Sequence, residues 1–167
     1  MANPTMTIEL KEGAVEIEML ADVAPKHVER ITALASEGAY DGIAFHRVID
    51  GFMAQTGDVE HGKVDGDGAC SPRAGTGGSE HGNLPQEFSK LPFDRGVCGM
   101  ARAQDPNSAN SQFFIMFDEG HFLNGQYTVW GRVTSGMEHV DKIKRGAGGN
   151  GSVSEPDQMV KVTVAEG

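Results

Sequence analysis

A chain of 167 residues has room for one domain with a substantial core, so a single domain over 1–167 is expected rather than two. Its 14 lysines and arginines against 24 aspartates and glutamates leave a net charge of −10, which argues against nucleic acid or an anionic membrane as the principal partner. No apolar run is long enough to span a bilayer and no basic segment leads into a hydrophobic one at the N-terminus, so a cytoplasmic protein is the expectation, with a monomer as the default.

The stretches 6–10 (MTIEL) and 15–19 (VEIEM) alternate apolar and polar residues across a short connector, the pattern of a hairpin with one buried face. Pro25 then stands where a first helical turn begins. Val28, Ile31 and Leu34 recur at a spacing of three, and Gly38 falls where a helix ends, which predicts an amphipathic helix over about 25–37. Next comes 45–58, FHRVIDGFMAQTGD, read as two short strands joined by a turn at 49–51. The two-residue period puts Phe45 and Arg47 on one face, and Met53 and Gln55 likewise. Arg47 then projects beside an apolar floor. A guanidinium keeps its proton at ordinary pH, so it can supply charge and a fork of donors but no acid–base catalysis. The same pattern also fits an ordinary strand arginine in a surface ion pair.

Residues 59–87 are rich in Gly, Asp, Ser and His without apolar periodicity, a long loop excursion that is either functional or plain surface; GTGG at 75–78 can bring backbone close to a ligand. Further strands are predicted at 97–101, 112–117, 128–133 and 159–165, making eight, with a short helix around Met137, Val140 and Ile143 capped by Thr134 or Ser135. In QFFIMF (112–117) apolar residues fall on both faces, so one face is expected to fill a barrel and the other to line a site or lie under the loops. The fold class is mainly β, a closed eight-stranded antiparallel barrel capped by two α-helices.

Several short matches carry nothing. Gly146, Gly148 and Gly151 satisfy GxGxxG but precede a strand instead of opening a helix. Asp65 to Gly68 begins like a calcium loop, yet Ala69 and Cys70 occupy the places of a ligand and a glycine. The 6 histidines show no paired metal spacing, so no metal and no cofactor is expected. Asn150-Gly151-Ser152 fits a glycosylation acceptor but has no secretion signal to go with it, and there is no GxSxG. Cys70 and Cys98 are expected as reduced thiols.

FHRVIDGFMAQTGD, then GTGG, then MARAQDPNSANSQFFI and FLNGQYTVWGRV, in that order and spacing, resemble the cyclophilin family of peptidyl-prolyl cis-trans isomerases over nearly the whole chain. The resemblance implies Arg47 as the catalytic arginine and Phe52, Met53, Phe114, Leu123 and Tyr127 as a proline pocket with Phe122 on its rim. It implies Gln55 and Gln112 as polar substrate contacts. Ala101, Arg102 and Ala103 would form the strand along which peptide backbone lies, and Gly75 would stand beside it. Proline-containing peptides and folding proteins are the implied partners. Phe122, Tyr127 and Arg102 stand where many eukaryotic members carry tryptophan, histidine and asparagine. The first two look bacterial, and the missing indole implies weak binding of cyclosporin-like macrocycles. A proline-peptide binding module without turnover is the alternative.

Overall fold

The computed structural model describes residues 3–64, 73–146, 151–153 and 156–165. Cys70, the 65–68 segment and Gly148 lie outside the described residues. The chain opens with β1 (Thr5–Leu10) and β2 (Gly13–Met19), paired from Thr5 with Glu18 to Leu10 with Gly13. Met6, Ile8, Val15, Ile17 and Met19 are all buried, as the alternation predicts.

Helix α1 (Pro25–Ser36) follows, with Pro25 in its first turn and Val28, Ile31, Leu34 and Ala35 on its buried face. Its end is a Schellman motif: Gly38, at φ 75°, donates to Ala35 O, and Ala39 donates to Leu34 O. Its start has no side-chain cap of its own. Instead the distant Glu87 carboxylate accepts from the N–H groups of Lys26 and His27.

The chain continues through β3 (Ile43–Ala44), β4 (Arg47–Ile49), β5 (Met53–Thr56), β6 (Val97–Met100) and β7 (Phe113–Met116). A single 3₁₀ turn (His121–Leu123), β8 (Val129–Ser135), α2 (Met137–Val140), β9 (Gln158–Met159) and β10 (Lys161–Ala165) complete it. Eight strands form one antiparallel sheet in the order β10-β1-β2-β8-β6-β7-β5-β4, while β3 and β9 form a separate two-stranded ribbon.

The expectation of a closed barrel is corrected: the sheet is strongly curled but open, because its end strands β4 and β10 do not pair. The outer edge of β4 is taken by another segment. Val48 donates to Gly151 O, Gly146 donates to Val48 O, and Arg47 forms a bridge to Ser152. The predicted last strand is split into β9 and β10. The predicted cap of α2 is also replaced, since Gly136, at φ 86°, occupies the cap position without a side-chain hydrogen bond.

The two faces of the sheet bury two different cores. Phe113, Ile115 and Phe117 join Val48, Ala54, Cys98 and Trp130 in the main core inside the curl. Phe114 and Met116 point the other way and pack with Met53, Phe93, Leu123 and Val129. The two-sided pattern of QFFIMF is thus explained, and the second core is the floor of the site.

Candidate active site

Strand register places the site residues in one row. Arg47 pairs with Gln55, Gln55 with Phe114, and Phe114 with Gly99, so the four sit side by side on the outer face across β4, β5, β7 and β6. At Gly99 the absent side chain is what lets the Phe93 and Phe114 rings approach the strand, since a Cβ would meet Phe93 at 2.5 Å and Phe114 at 2.6 Å.

Above this floor is a cleft of about 330 Å³ lined by Arg47, Phe52, Met53, Gln55, Ala101, Arg102, Phe114, Phe122, Leu123 and Tyr127. Met53, Phe114 and Leu123 are buried, whereas Phe122 is 73% exposed on the rim, tilted over Phe52 at 5.4 Å between ring centroids. Tyr127 meets Phe114 edge-on at 5.8 Å. The lining is mixed, with Arg47, Gln55 and Arg102 set among apolar and aromatic side chains.

Gly75, Ala103 and Gln112 do not line that cleft. They line a second, more polar hollow of about 360 Å³ that shares Gln55, Ala101 and Arg102 with the first. The side chains linking the two are arranged in series. Arg47 Nη1 donates to Gln55 Oε1 at 3.2 Å, Gln55 Nε2 donates to Gln112 Oε1 at 3.0 Å, and Gln112 Nε2 donates to Gly75 O and Gly77 O at 3.0 and 2.9 Å.

The far end of that series is fixed by a residue that the sequence reading passed over. Asp58 is fully buried, and its carboxylate accepts from the N–H groups of Glu60, His61, Gly75 and Gly77 at 3.0, 2.8, 2.7 and 2.9 Å. Burial by itself raises its pKa, but the donations from His61, Gly77, Gly75 and Glu60 together outweigh burial and hold the carboxyl below the usual aspartate value. GTGG therefore serves two masters: its amides hold Asp58 and its carbonyls hold Gln112. The signal available in sequence was only that Asp58 ends the informative stretch while glycines follow at 75–78.

One group of metal-ligating type exists among the described residues, namely Asp94, Glu119 and His121, exposed and with ligand atoms within 4.8 Å of one another. It stands outside both hollows. Its His121 pKa is raised, chiefly by the hydrogen bond to Asp94, as in an ordinary surface ion pair.

Fold and site together define a curled antiparallel sheet that carries on its outer face a cleft of apolar side chains edged by guanidinium groups. A family model described as cyclophilin-type peptidyl-prolyl cis-trans isomerase matches residues 5–165, and the chain belongs to that family. It is 61% identical over 161 residues to a probable peptidyl-prolyl cis-trans isomerase of Brucella suis biovar 1 (strain 1330), covering 96% of this chain and 82% of that one. It is 36% identical over 138 residues to peptidyl-prolyl cis-trans isomerase B of Bacillus subtilis (strain 168), covering 82% and 88%. Among solved structures it is similar to a cyclophilin from Hirschia baltica, with TM-score 0.72 and 29% identity over 95% of this chain and 73% of that one. A Cryptosporidium parvum cyclophilin-type isomerase has TM-score 0.81 at 24% identity over 98% and 99%, a likeness of fold. The activity of the chain is cis–trans isomerisation of the peptide bond preceding proline.

Proposed function

We propose that Arg47 is the residue that turns the substrate over, and that the apolar cleft beside it holds the proline ring. The observation that carries this reading is the single row in which a half-buried arginine, its glutamine partner and the Phe114 floor stand side by side. The amide before proline rotates over a barrier of roughly 18–20 kcal/mol because rotation destroys resonance between nitrogen and carbonyl. No bond is made or broken. In the twisted amide the prolyl nitrogen becomes pyramidal and its lone pair can accept a hydrogen bond, so a donor placed there prefers the transition state to either ground state.

A hydrogen bond to a charged group contributes about 1.5–3 kcal/mol and each tenfold in rate needs about 1.4 kcal/mol, so Arg47 supplies one or two decades. The cleft supplies the rest by fixing the ring. Phe52, Met53, Phe114 and Leu123 grip it, and Gln55, Gln112 and the Ala101–Arg102–Ala103 backbone hold the peptide while the carbonyl side swings. Phe122 and Tyr127 close the rim, and Gly75 gives the wall its shape through the carbonyl held by Gln112.

Proline-containing peptides and folding chains are the substrates under this reading, in line with the Cryptosporidium parvum protein having been crystallised in the presence of the dipeptide Ala-Pro. Cyclosporin-like macrocycles bind weakly because Phe122 offers no indole donor. The protein works under this reading as a single-domain cytoplasmic monomer, in keeping with its net charge of −10; no described helix is long and apolar enough to cross a membrane. Exchange NMR on a short Ala-Pro peptide, with wild type and Arg47→Ala at equal concentration, tests the assignment. Accelerated interconversion lost in the variant, with peptide shifts retained, is expected. Equal loss of binding and turnover would overturn the division of roles, and binding without acceleration in wild type would make the cleft a proline-peptide binding module.

A further inference from the structure

Arg102 lines both hollows, yet its side chain is occupied. Nε and Nη2 both donate to Gln126 O, at 3.0 and 2.8 Å, and Nη1 donates to Ala103 O and Gln104 O at 2.8 and 3.1 Å. Four donations to three carbonyls leave one of the five guanidinium N–H groups. Its flat face lies over the Tyr127 ring with Cζ 4.7 Å from the ring centroid, within the range of a cation–π contact. The same Tyr127 ring stands edge-on against Phe114, the floor of the cleft. Gln126 in turn donates to Leu123 O, so the carbonyl that Arg102 grips belongs to the turn carrying Leu123.

From this geometry we infer that Arg102 is a positioning residue: its side chain straps the 101–104 segment to the 123–127 turn and sets Tyr127 against Phe114, which fixes the width of the proline cleft. The guanidinium acts through Tyr127 and leaves its own backbone to the peptide. No other side chain does this job as well. A lysine could place a charge over the ring but has no planar fork to chelate Gln126 O, and an asparagine is too short to reach it. The strap carries the β6–β8 pairing, whose last backbone bond runs from Met100 N–H to Thr128 O, on into the segments beyond both strands, since 101–104 leaves β6 and 123–127 leads into β8. Without the strap, the ring is free to swing from the cleft and the bound proline is held less closely.

The inference rests on the reading of this cleft as the proline pocket, and its test is arranged so that the two fail separately. Steady-state isomerisation and peptide binding are measured for wild type, Arg102→Ala, Arg102→Lys, Tyr127→Ala and the Arg102→Ala/Tyr127→Ala double variant, with Arg47→Ala as a control. Each is tested on an uncharged Ala-Pro peptide and on one carrying glutamates beside that pair. The expected result is that Arg102→Ala lowers kcat/KM about fivefold, mainly through KM and equally for both peptides, with Arg102→Lys intermediate. The loss should all but vanish in the Tyr127→Ala background, the non-additivity of two residues acting as one unit. An equal loss with and without Tyr127 overturns the strap. A loss confined to the glutamate peptide overturns it too, because Arg102 would then be a direct contact for substrate charge. If Arg47→Ala retains turnover, the pocket assignment fails while the Arg102–Tyr127 coupling is still read from peptide binding.

Discussion

Arg47 and Gln55 stand opposite each other on one rung of the β4–β5 ladder, with the guanidinium donating to Gln55 Oε1 at 3.2 Å. A long arginine side chain has many rotamers, and orienting it costs entropy that would otherwise be taken from catalysis. The glutamine meets that cost in advance, and Gln112 holds the glutamine. Gln55→Ala is therefore expected to lower kcat about tenfold while the lost peptide contact raises KM less than threefold, because the apolar side chains that hold the ring are left in place. Saturation kinetics on an Ala-Pro peptide checks this; a loss carried mainly by KM would make Gln55 a ground-state contact instead.

Asp58 extends the series to the loop. Replacing it with asparagine leaves an amide NH₂ facing backbone N–H groups where an oxygen accepted them, at a fully buried position. Asp58→Asn is expected to destabilise the fold by about 2–3 kcal/mol and to lower kcat as the Gly75 and Gly77 carbonyls, and with them Gln112, lose their place. The pH dependence has a definite sign. A carboxyl held below its usual value of about 3.9 contributes stability that is present above that value and is lost as pH falls through the lower folded value. Urea-unfolding midpoints between pH 5 and pH 2 should fall steeply for wild type and less steeply for Asp58→Asn. Parallel curves would mean that Asp58 does not drive the acid transition.

What could be read from residue order alone was whatever repeats locally. The alternation of β1 and β2, the spacing of Val28, Ile31 and Leu34, and the shared face of Met53 and Gln55 are all short-range patterns, and each is found in the fold. What escaped was built from partners distant in sequence. Asp58 is bonded to amides 17 and 19 residues away, and Glu87 reaches back 60 residues to the start of α1. Ribbon strand β3 has only two residues, too few to show a period. The edge of β4 is taken by Gly146, Gly151 and Ser152 from far later in the chain, and no pattern in β4 itself encodes that.

Gly99 is a packing position, and its backbone makes no demand for glycine beyond space. An added methyl would press on the Phe93 and Phe114 rings, which are stacked on each other with centroids 5.8 Å apart. Rings of this size in a buried cluster cannot yield as a flexible chain end would. Gly99→Ala is expected to cost about 1–3 kcal/mol of stability and to raise KM several-fold as Phe114 is pushed into the cleft. Thermal unfolding together with peptide titration checks both. A variant that loses stability but binds peptide normally would show that the rings shift away from the site.

His27 gives the molecule a second pH response, at milder acidity than that of Asp58. It is fully buried, its Nδ1 is 2.6 Å from Glu87 Oε1, and its Nε2 has no partner among the described residues. Burial pulls its pKa below the usual value, and this outweighs the opposing pull of Glu87. His46, also buried and with Asp58 as its opposing influence, shifts the same way for the same reason. Such a histidine binds its proton more readily unfolded than folded. Its neutral form is therefore fully compatible with the fold above about pH 6.5, and stability is lost as pH falls below that value. Between the unfolded and folded values the slope from one such group approaches about 1.4 kcal/mol per pH unit. His27→Gln keeps a donor for Glu87 but cannot titrate, so its unfolding free energy should fall less between pH 7.5 and pH 5 than that of wild type. Part of the residual slope is assigned to His46, and adding His46→Gln should reduce it further. Identical slopes in wild type and His27→Gln would show that protonation of this buried pair is not what weakens the fold in mild acid.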